Sequence, residues 1–300
     1  MKISVILCTY NREKYLPSVL KSIINQTLTP NDYEIIIINN NSPGNTKEIA
    51  LEFQEKHKSI DTKYLEEKNQ GLSFARNRGI KEAKYELVTF IDDDAFLKED
   101  FLQNTVEVFK KSENTIAIGG QILLSYEGKI PSWENKYLNS LLGYFKPSNS
   151  TFIFSTKNYP RGSNMTFRKK IFNEIGMFNV KLGRIGGQMI GGEEKEIFSR
   201  IYQLKKYNVL YIPSVIVYHT VPESRTTKEF IITQAKGNGV SEKIRTQEKG
   251  LISYLKRVAV EIFKWGVSIL IAFYYLLKLK SDKGKMLITF RYWCTRGLIS

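Results

Sequence analysis

Three consecutive carboxylates, Asp92, Asp93 and Asp94, stand at the end of an apolar run over residues 85–91. Adjacent acids repel one another and are costly to desolvate, so local structure gives no reason to gather them there. A hard cation does. Asp92 and Asp94 are two residues apart, and at a strand end their oxygens can turn to the same side. Mg2+ or Mn2+ held in that way would carry a phosphate-bearing ligand. The alternative is a solvated acidic turn. Two further groups invite the same question. Glu193 and Glu194 open a helical stretch, where acids either complement the helix dipole or provide a general base for a hydroxyl. His219 closes an apolar run, as a satisfied polar residue or as a ligand.

These residues need elements to position them, and the first hundred residues alternate between two periodicities. Residues 2–8 and 33–38 are near-continuous β-branched and aliphatic runs, as expected of strands buried on both faces. Residues 62–65 and 86–91 read as two more strands. Helical stripes fall between them over 13–26, 46–58 and 72–83, with a further helix at 99–110 and a strand at 116–124. Strands alternating with helices imply right-handed crossovers and a mainly parallel, Rossmann-like α/β sheet. Ligands collect at the carboxyl ends of such strands. Thr9-Tyr10-Asn11, Asn39 to Ser42 and the Asp triplet all fall at those ends. No glycine-rich dinucleotide fingerprint or P-loop is present, so a pyrophosphate here needs a metal to neutralise it.

The 300 residues suit one large domain or a domain with an appendage, and 42% hydrophobic content is enough for a packed core. Two cysteines, Cys8 and Cys294 at opposite ends of the chain, build no disulfide framework or zinc spacing, which fits a reducing compartment. The first apolar run ends at Thr9, too early for a signal peptide, so secretion is not expected. The net charge is +15, and from residue 251 onward nine Lys or Arg face two acids. The excess is therefore concentrated in a basic C-terminal extension, which points to an anionic partner for that segment.

The motifs together resemble the family 2 glycosyltransferases. Thr9-Tyr10-Asn11-Arg12, the Asn-rich turn after the second strand, Asn69-Gln70-Gly71 with Ala75-Arg76-Asn77-Arg78-Gly79, and Asp92-Asp93-Asp94 occur in that family's order and spacing. The likeness spans roughly residues 2–225. It implies the GT-A fold and inverting transfer of a sugar from a nucleotide-diphosphate donor. Donor binding would fall to Thr9, Tyr10, Asn11, Arg12, Asn39, Asn41 and Arg76, with Asp92 reaching the ribose or a metal water. Asp93 joins this group without a separate role. Asp94 and His219 would hold Mn2+ or Mg2+. Where the family commonly ends its second strand in an Asp, this chain has Asn39; an amide oxygen can still accept from uracil, which favours UDP. Arg161 to Phe167 resembles the strand closing over the donor, and Gly162, Ser163 and Asn164 would lie against the sugar. The family's acidic pair corresponds to Glu193 and Glu194, with Glu194 as the base.

The remaining segments are read from composition. Residues 131–159 are rich in aromatics (Trp133, Tyr137, Tyr144, Phe145, Phe152), either as ordinary packing or as an acceptor surface. Glycine density over 183–192 suggests a mobile loop ahead of a helix from Glu193 to about residue 205. Arg200 would orient a carboxylate or phosphate, and His57 belongs to a charged helix surface. Residues 226–249 read as a polar helix broken at Gly237-Asn238-Gly239. Residues 258–277 are almost wholly apolar, with basic flanks that fit a helix in or on an anionic leaflet; a buried helix or a contact in a homo-oligomer are the alternatives. The expected division is a transferase domain over 1–225, with a nucleotide-binding half at 1–95 and an acceptor half at 96–225, and an extension over 226–300. The expected partners are a nucleotide sugar, a glycan or lipid-linked acceptor and a membrane surface, at the cytoplasmic face of the cell membrane. A catalytically inactive nucleotide-sugar-binding scaffold on the same fold is the alternative. A nucleotidyltransferase would need a Gly-rich N-terminal loop with a Lys, which residues 8–12 lack, and nucleic acid is not expected because the basic residues accompany an apolar helix.

Overall fold

A computed structural model describes residues 1–156, 158–185, 191–247 and 250–300. Contacts divide the chain into two compact units, Met1–Leu123 with Phe145–His219, and Leu124–Tyr144 with Thr220–Ser300.

The strands of the first unit are β1 (Ile3–Thr9), β2 (Tyr33–Asn39), β3 (Asp61–Glu66), β4 (Leu87–Asp92), β5 (Ala95–Leu97), β6 (Thr115–Tyr126), β7 (Phe152–Ile153), β8 (Met165–Arg168) and β9 (Asn208–Val221). The tails of β6 and β9 run on into the second unit. The helices between them are α1 (Leu16–Ile24), α2 (Thr46–Lys56), α3 (Leu72–Glu82), α4 (Phe101–Lys111), α5 (Ile171–Ile175) and α6 (Glu193–Gln203). Sheet order is β3-β2-β1-β4-β8-β6-β9-β5, with β7 on β9. Pairing is parallel from β3 to β4. It turns antiparallel at β4–β8, and β6–β8, β5–β9 and β7–β9 are antiparallel too. Parallel order therefore belongs to the crossover half that the sequence pattern identifies.

The two-residue period explains why β1 and β2 are apolar throughout. Ile3, Val5 and Leu7 with Ile35 and Ile37 pack into one core, against α1 and α4. Ile6 and Cys8 with Ile36 and Ile38 pack into the other, with Phe90, Phe167 and Phe198. Each strand that ends at the ligand edge then needs a sharp turn. Asn11 (φ 53°) and Asn41 (φ 65°) adopt the left-handed conformation there, which Asn tolerates better than most residues.

The structure departs from the sequence expectations at three points. The strand β5 was not foreseen, because three residues are too few to show a period. Its register sets Ala95 opposite His219. The expected break at Gly237–Gly239 does not occur: in the second unit α7 (Lys228–Gln247) runs straight through it. A Cβ on Gly239 would lie 2.1 Å from the Cys294 carbonyl oxygen, and one on Gly297 would lie 2.2 Å from that of Lys236. Those glycines let α7 press against α9 (Ser281–Ile299). Between them in sequence lies α8 (Leu251–Leu277), which starts well before the expected residue 258. Residues 186–190 of the glycine-dense stretch, expected as a mobile loop, lie outside the described residues.

Candidate donor and catalytic site

A cavity of about 540 Å3 opens at the carboxyl ends of β1 and β4. Its walls are Cys8 to Arg12 from β1 and its turn, all three acids of the triplet, Asn40, Leu72 and Ala75 at the start of α3, and Arg184. The parallel register sets Cys8 beside Asp92, so two of the sequence-predicted motifs meet directly. The Tyr10 N–H donates to Asp93 Oδ2 at 3.1 Å. Asp93 is nonetheless pushed up to about 7, first by burial and then by the Asp94 charge. Burial also pushes the Cys8 thiol up to about 12, so it stays protonated and is no nucleophile.

Asp94 is buried, and its Oδ1 lies 3.3 Å from His219 Nε2. Its other oxygen is 3.9 Å from Arg12. Register produces the first of these contacts: β5 follows the triplet immediately and pairs Ala95 with His219, 124 positions further on. Among the described residues, no three His, Cys, Asp or Glu side chains form a ready cage for a metal. The pair nevertheless suits a divalent cation. An octahedral Mg2+ or Mn2+ holds its ligands at about 2.1 Å, so adjacent ligand atoms stand roughly 3 Å apart. Such ions commonly take one or two protein ligands and complete their shell with water and substrate phosphates.

A second cluster surrounds Arg76, which α3 delivers behind the cavity wall at Asp92. The side chain is 1% exposed, with its guanidinium 5.9 Å from the Phe90 ring centre and 5.4 Å from that of Phe178. Its Nη1 bonds Glu193 Oε1 at 3.0 Å. Its Nη2 lies 3.8 Å from Asp92 Oδ1 and 3.9 Å from Glu194 Oε1. One buried cation thus ties the triplet to the acidic pair at the start of α6. Arg76 Nη2 and Glu193 Oε2 are both buried with no hydrogen-bond partner among the described residues. Glu194 is partly exposed, and its carboxyl is pushed up to about 7. Desolvation is the main cause; Arg76 opposes it, and Glu193 and Asp92 reinforce it.

Gly162 explains how these groups pack so closely. A Cβ there would lie 2.2 Å from Glu194 Oε1 and 2.6 Å from Arg76 Nη2. The Arg161–Asn164 turn that carries it is closed by a backbone bridge. Ser163 and Asn164 are buried beside it, and Asn164 donates to the carbonyls of Gln121 and Val215.

Other expected site residues are engaged in the fold. Asn39 accepts from the Ser42 N–H at 2.9 Å and donates to the Tyr64 hydroxyl at 2.9 Å. Together with Asn41 it borders a separate hollow of about 230 Å3 rather than the main cavity. Its neighbour Asn40, which the sequence does not single out, accepts from Gly71 N–H at 2.7 Å and donates to the Glu67 and Asn69 carbonyls. Nothing in three successive asparagines tells the middle one apart. Arg184 is the other omission: its carbonyl accepts from Leu72 N–H, and it adds a cation to the cavity rim. Arg200 donates to the carbonyls of Ile175 and Met177 and to Glu196 Oε2 at 2.7 Å, so the carboxylate it holds in this structure belongs to its own helix. Phe145 and Phe152 pack in the first unit around Tyr211, and Trp133 donates to the Thr226 carbonyl inside the second.

Known proteins share both the sequence and this architecture. Glucosyl-dolichyl phosphate glucuronosyltransferase of Haloferax volcanii is 26% identical over 248 residues, 81% of this chain and 77% of that one. Of two further curated relatives the chain spans 26% and 50% of the length. The mannosyltransferase PcManGT of Pyrobaculum calidifontis, solved with GDP-Man and Mn2+, superposes with a TM-score of 0.62 at 17% identity, covering 97% of this chain and 86% of that one. TarS 1-349 of S. aureus, solved with UDP-GlcNAc, gives a TM-score of 0.54 at 20% identity, covering 78% and 66%. The fold is the GT-A fold of these transferases. The model of glycosyl transferase family 2 matches residues 4–176, which is more than half of the sequence and includes β1, the triplet and Arg76. The chain therefore belongs to glycosyl transferase family 2 and is by class a glycosyltransferase.

Proposed function

We propose that the chain is an inverting transferase that moves a sugar from UDP to a hydroxyl of a glycan or lipid-linked acceptor. The observation that carries this reading is the Arg76 bridge, which sets an acid of raised pKa beside the donor cavity. Glu194 is the base. It takes the acceptor hydroxyl proton as that oxygen bonds to the anomeric carbon, and the bond from that carbon to the diphosphate oxygen breaks on the opposite face. Arg76 and Glu193 are positioning residues that fix the Glu194 carboxylate. The unspent Nη2 donor of Arg76 is available to a substrate oxygen arriving between Asp92 and Glu194.

Asp94 and His219 are the residues that would hold Mn2+ or Mg2+. When bound, the ion supplies positive charge against the departing diphosphate. Thr9, Tyr10, Asn11 and Arg12 border the donor from β1, with Asp92 at the ribose and Gly162 to Asn164 near the sugar. Asn39 and Asn41 shape the turn at the neighbouring hollow. The Haloferax relative's lipid-linked acceptor and the UDP-sugar complex of TarS support the acceptor and donor classes. The basic extension would keep the enzyme at the inner face of the cell membrane, close to such an acceptor.

Thermal-shift titration with UDP-, GDP- and dTDP-sugars tests the donor assignment. Stabilisation by UDP-sugars with Mn2+, lost with EDTA and in both Asp94→Asn and His219→Ala, is the expected result. Stabilisation indifferent to EDTA and to both substitutions would remove the metal from the account.

A further inference from the structure

The helix α8 is built inside out. Its face toward α9 is polar: Glu261 Oε2 pairs with Arg257 at 2.9 Å and Glu261 Oε1 with Arg291 at 2.9 Å. Trp265 Nε1 donates to Thr295 Oγ1 at 2.9 Å, and Arg291 Nε donates to Ser268 Oγ at 3.3 Å. Apart from Lys256 and Lys264, every exposed residue of α8 is aliphatic, aromatic or glycine. Leu251 and Leu270 are each 70% exposed, and Phe263 is 72% exposed. In water this arrangement inverts the ordinary amphipathic helix. Hydrocarbon would make it the expected one, with charges turned inward and paired.

Resting on the membrane-surface reading above, we infer that α8 lies flat in one leaflet of an anionic bilayer, without spanning it. Length and composition alone would let α8 cross. Its neighbour forbids that. Contacts follow α9 along α8, from the Tyr254 hydroxyl on the Leu298 carbonyl to Gly284, where a Cβ would lie 3.0 Å from Ala272. A spanning α8 would therefore draw α9 in with it, and α9 exposes Asp282, Lys285 and Arg296. Charges of this kind are costly in hydrocarbon. Lying flat, α8 presents its apolar side to acyl chains while α9 keeps its charges in water.

A second copy of the chain fits less well. One partner helix covers a stripe of roughly 100°. Here Ile262, Phe263, Gly266, Val267, Ile269 and Leu270 are all exposed opposite the inward positions Trp265 and Ser268, over an arc of about 160°. A leaflet covers all of it. Nine basic and two acidic residues from 251 onward also give that segment a net charge of +7, matched to an anionic headgroup layer.

Flotation of the full chain with phosphatidylglycerol-containing vesicles tests the proposal. The wild type should float, and Phe263→Glu/Leu270→Glu/Phe273→Glu should lose at least about tenfold in vesicle affinity while keeping its donor thermal shift. Gln247→Cys and Lys280→Cys, exposed polar positions that flank α8, labelled with an impermeant maleimide outside the vesicles, then report orientation, because native Cys8 and Cys294 are buried. Labelling at both ends is expected of a flat helix; protection of one end alone would establish a span and overturn the proposal. A wild type that does not float but binds donor would overturn it too, and a dimer abolished by the triple variant would identify a second copy as the cover. Flotation without donor binding would leave the flat helix standing and count against the transferase reading instead.

Discussion

Arg76 Nη1 lies 3.0 Å from Glu193 Oε1, and the two side chains are 1% and 4% exposed. The pair joins residues 117 positions apart and brings the start of α6 against the triplet. A buried cation between acids is a strong constraint, because removing it leaves each carboxylate desolvated and uncompensated.

Arg76→Met should accordingly destabilise the protein by about 3–5 kcal/mol in urea unfolding. Arg76→Lys keeps a charge but cannot hold three carboxylates in one plane-fixed fork. It should recover most of the stability and still lose kcat, because Glu194 is no longer fixed. Equal kcat for Arg76→Lys and wild type would show that the bridge serves folding alone.

Gly162→Ala tests the close approach. Its Cβ would stand where Glu194 Oε1 and Arg76 Nη2 now lie, so the Glu194 carboxylate must move. A displacement near 1 Å costs on the order of a hundredfold in rate. The expected result is a fall of that size in kcat with little change in donor affinity. Loss of donor affinity at unchanged kcat would show that Gly162 makes room for the sugar alone and does not govern the Glu194 carboxylate.

The pH profile follows from the raised Glu194 carboxyl. A base works only when ionised, and this group ionises near pH 7 instead of in the ordinary carboxylate range. Single-turnover transfer should rise tenfold per pH unit below about 7 and level off above it. A flat profile from pH 5 to 8 would show that a more acidic group is the base.

Much of the first unit is legible because its strands are buried on both faces and its helices are striped, so β1, β2, β4 and α3 stand out as runs. The ligand edge follows from the polar turns that end those runs. What escapes is whatever depends on long-range register. Asp94 and His219 are brought together in the sequence only by the family resemblance, because the register that joins them needs β5 and three residues carry no period. The partners of Arg76 lie beyond any local window, so the sequence presents it as a donor ligand while the fold surrounds it with acids. Gly237 and Gly239 illustrate the opposite failure: glycine reads as a helix break, yet at 239 it marks a close approach of α7 to α9. In α8 the apolar content is plain, but which side faces out depends on Glu261 finding Arg291 on another helix.

The central claim is that Glu194 removes the acceptor proton, and one comparison addresses it directly: single-turnover sugar transfer by wild type and Glu194→Gln, at donor concentrations that saturate both. Glutamine keeps the shape and cannot take the proton. The account predicts a loss of about 10²–10⁴-fold in transfer with donor binding retained. Transfer within a few-fold of wild type would contradict it.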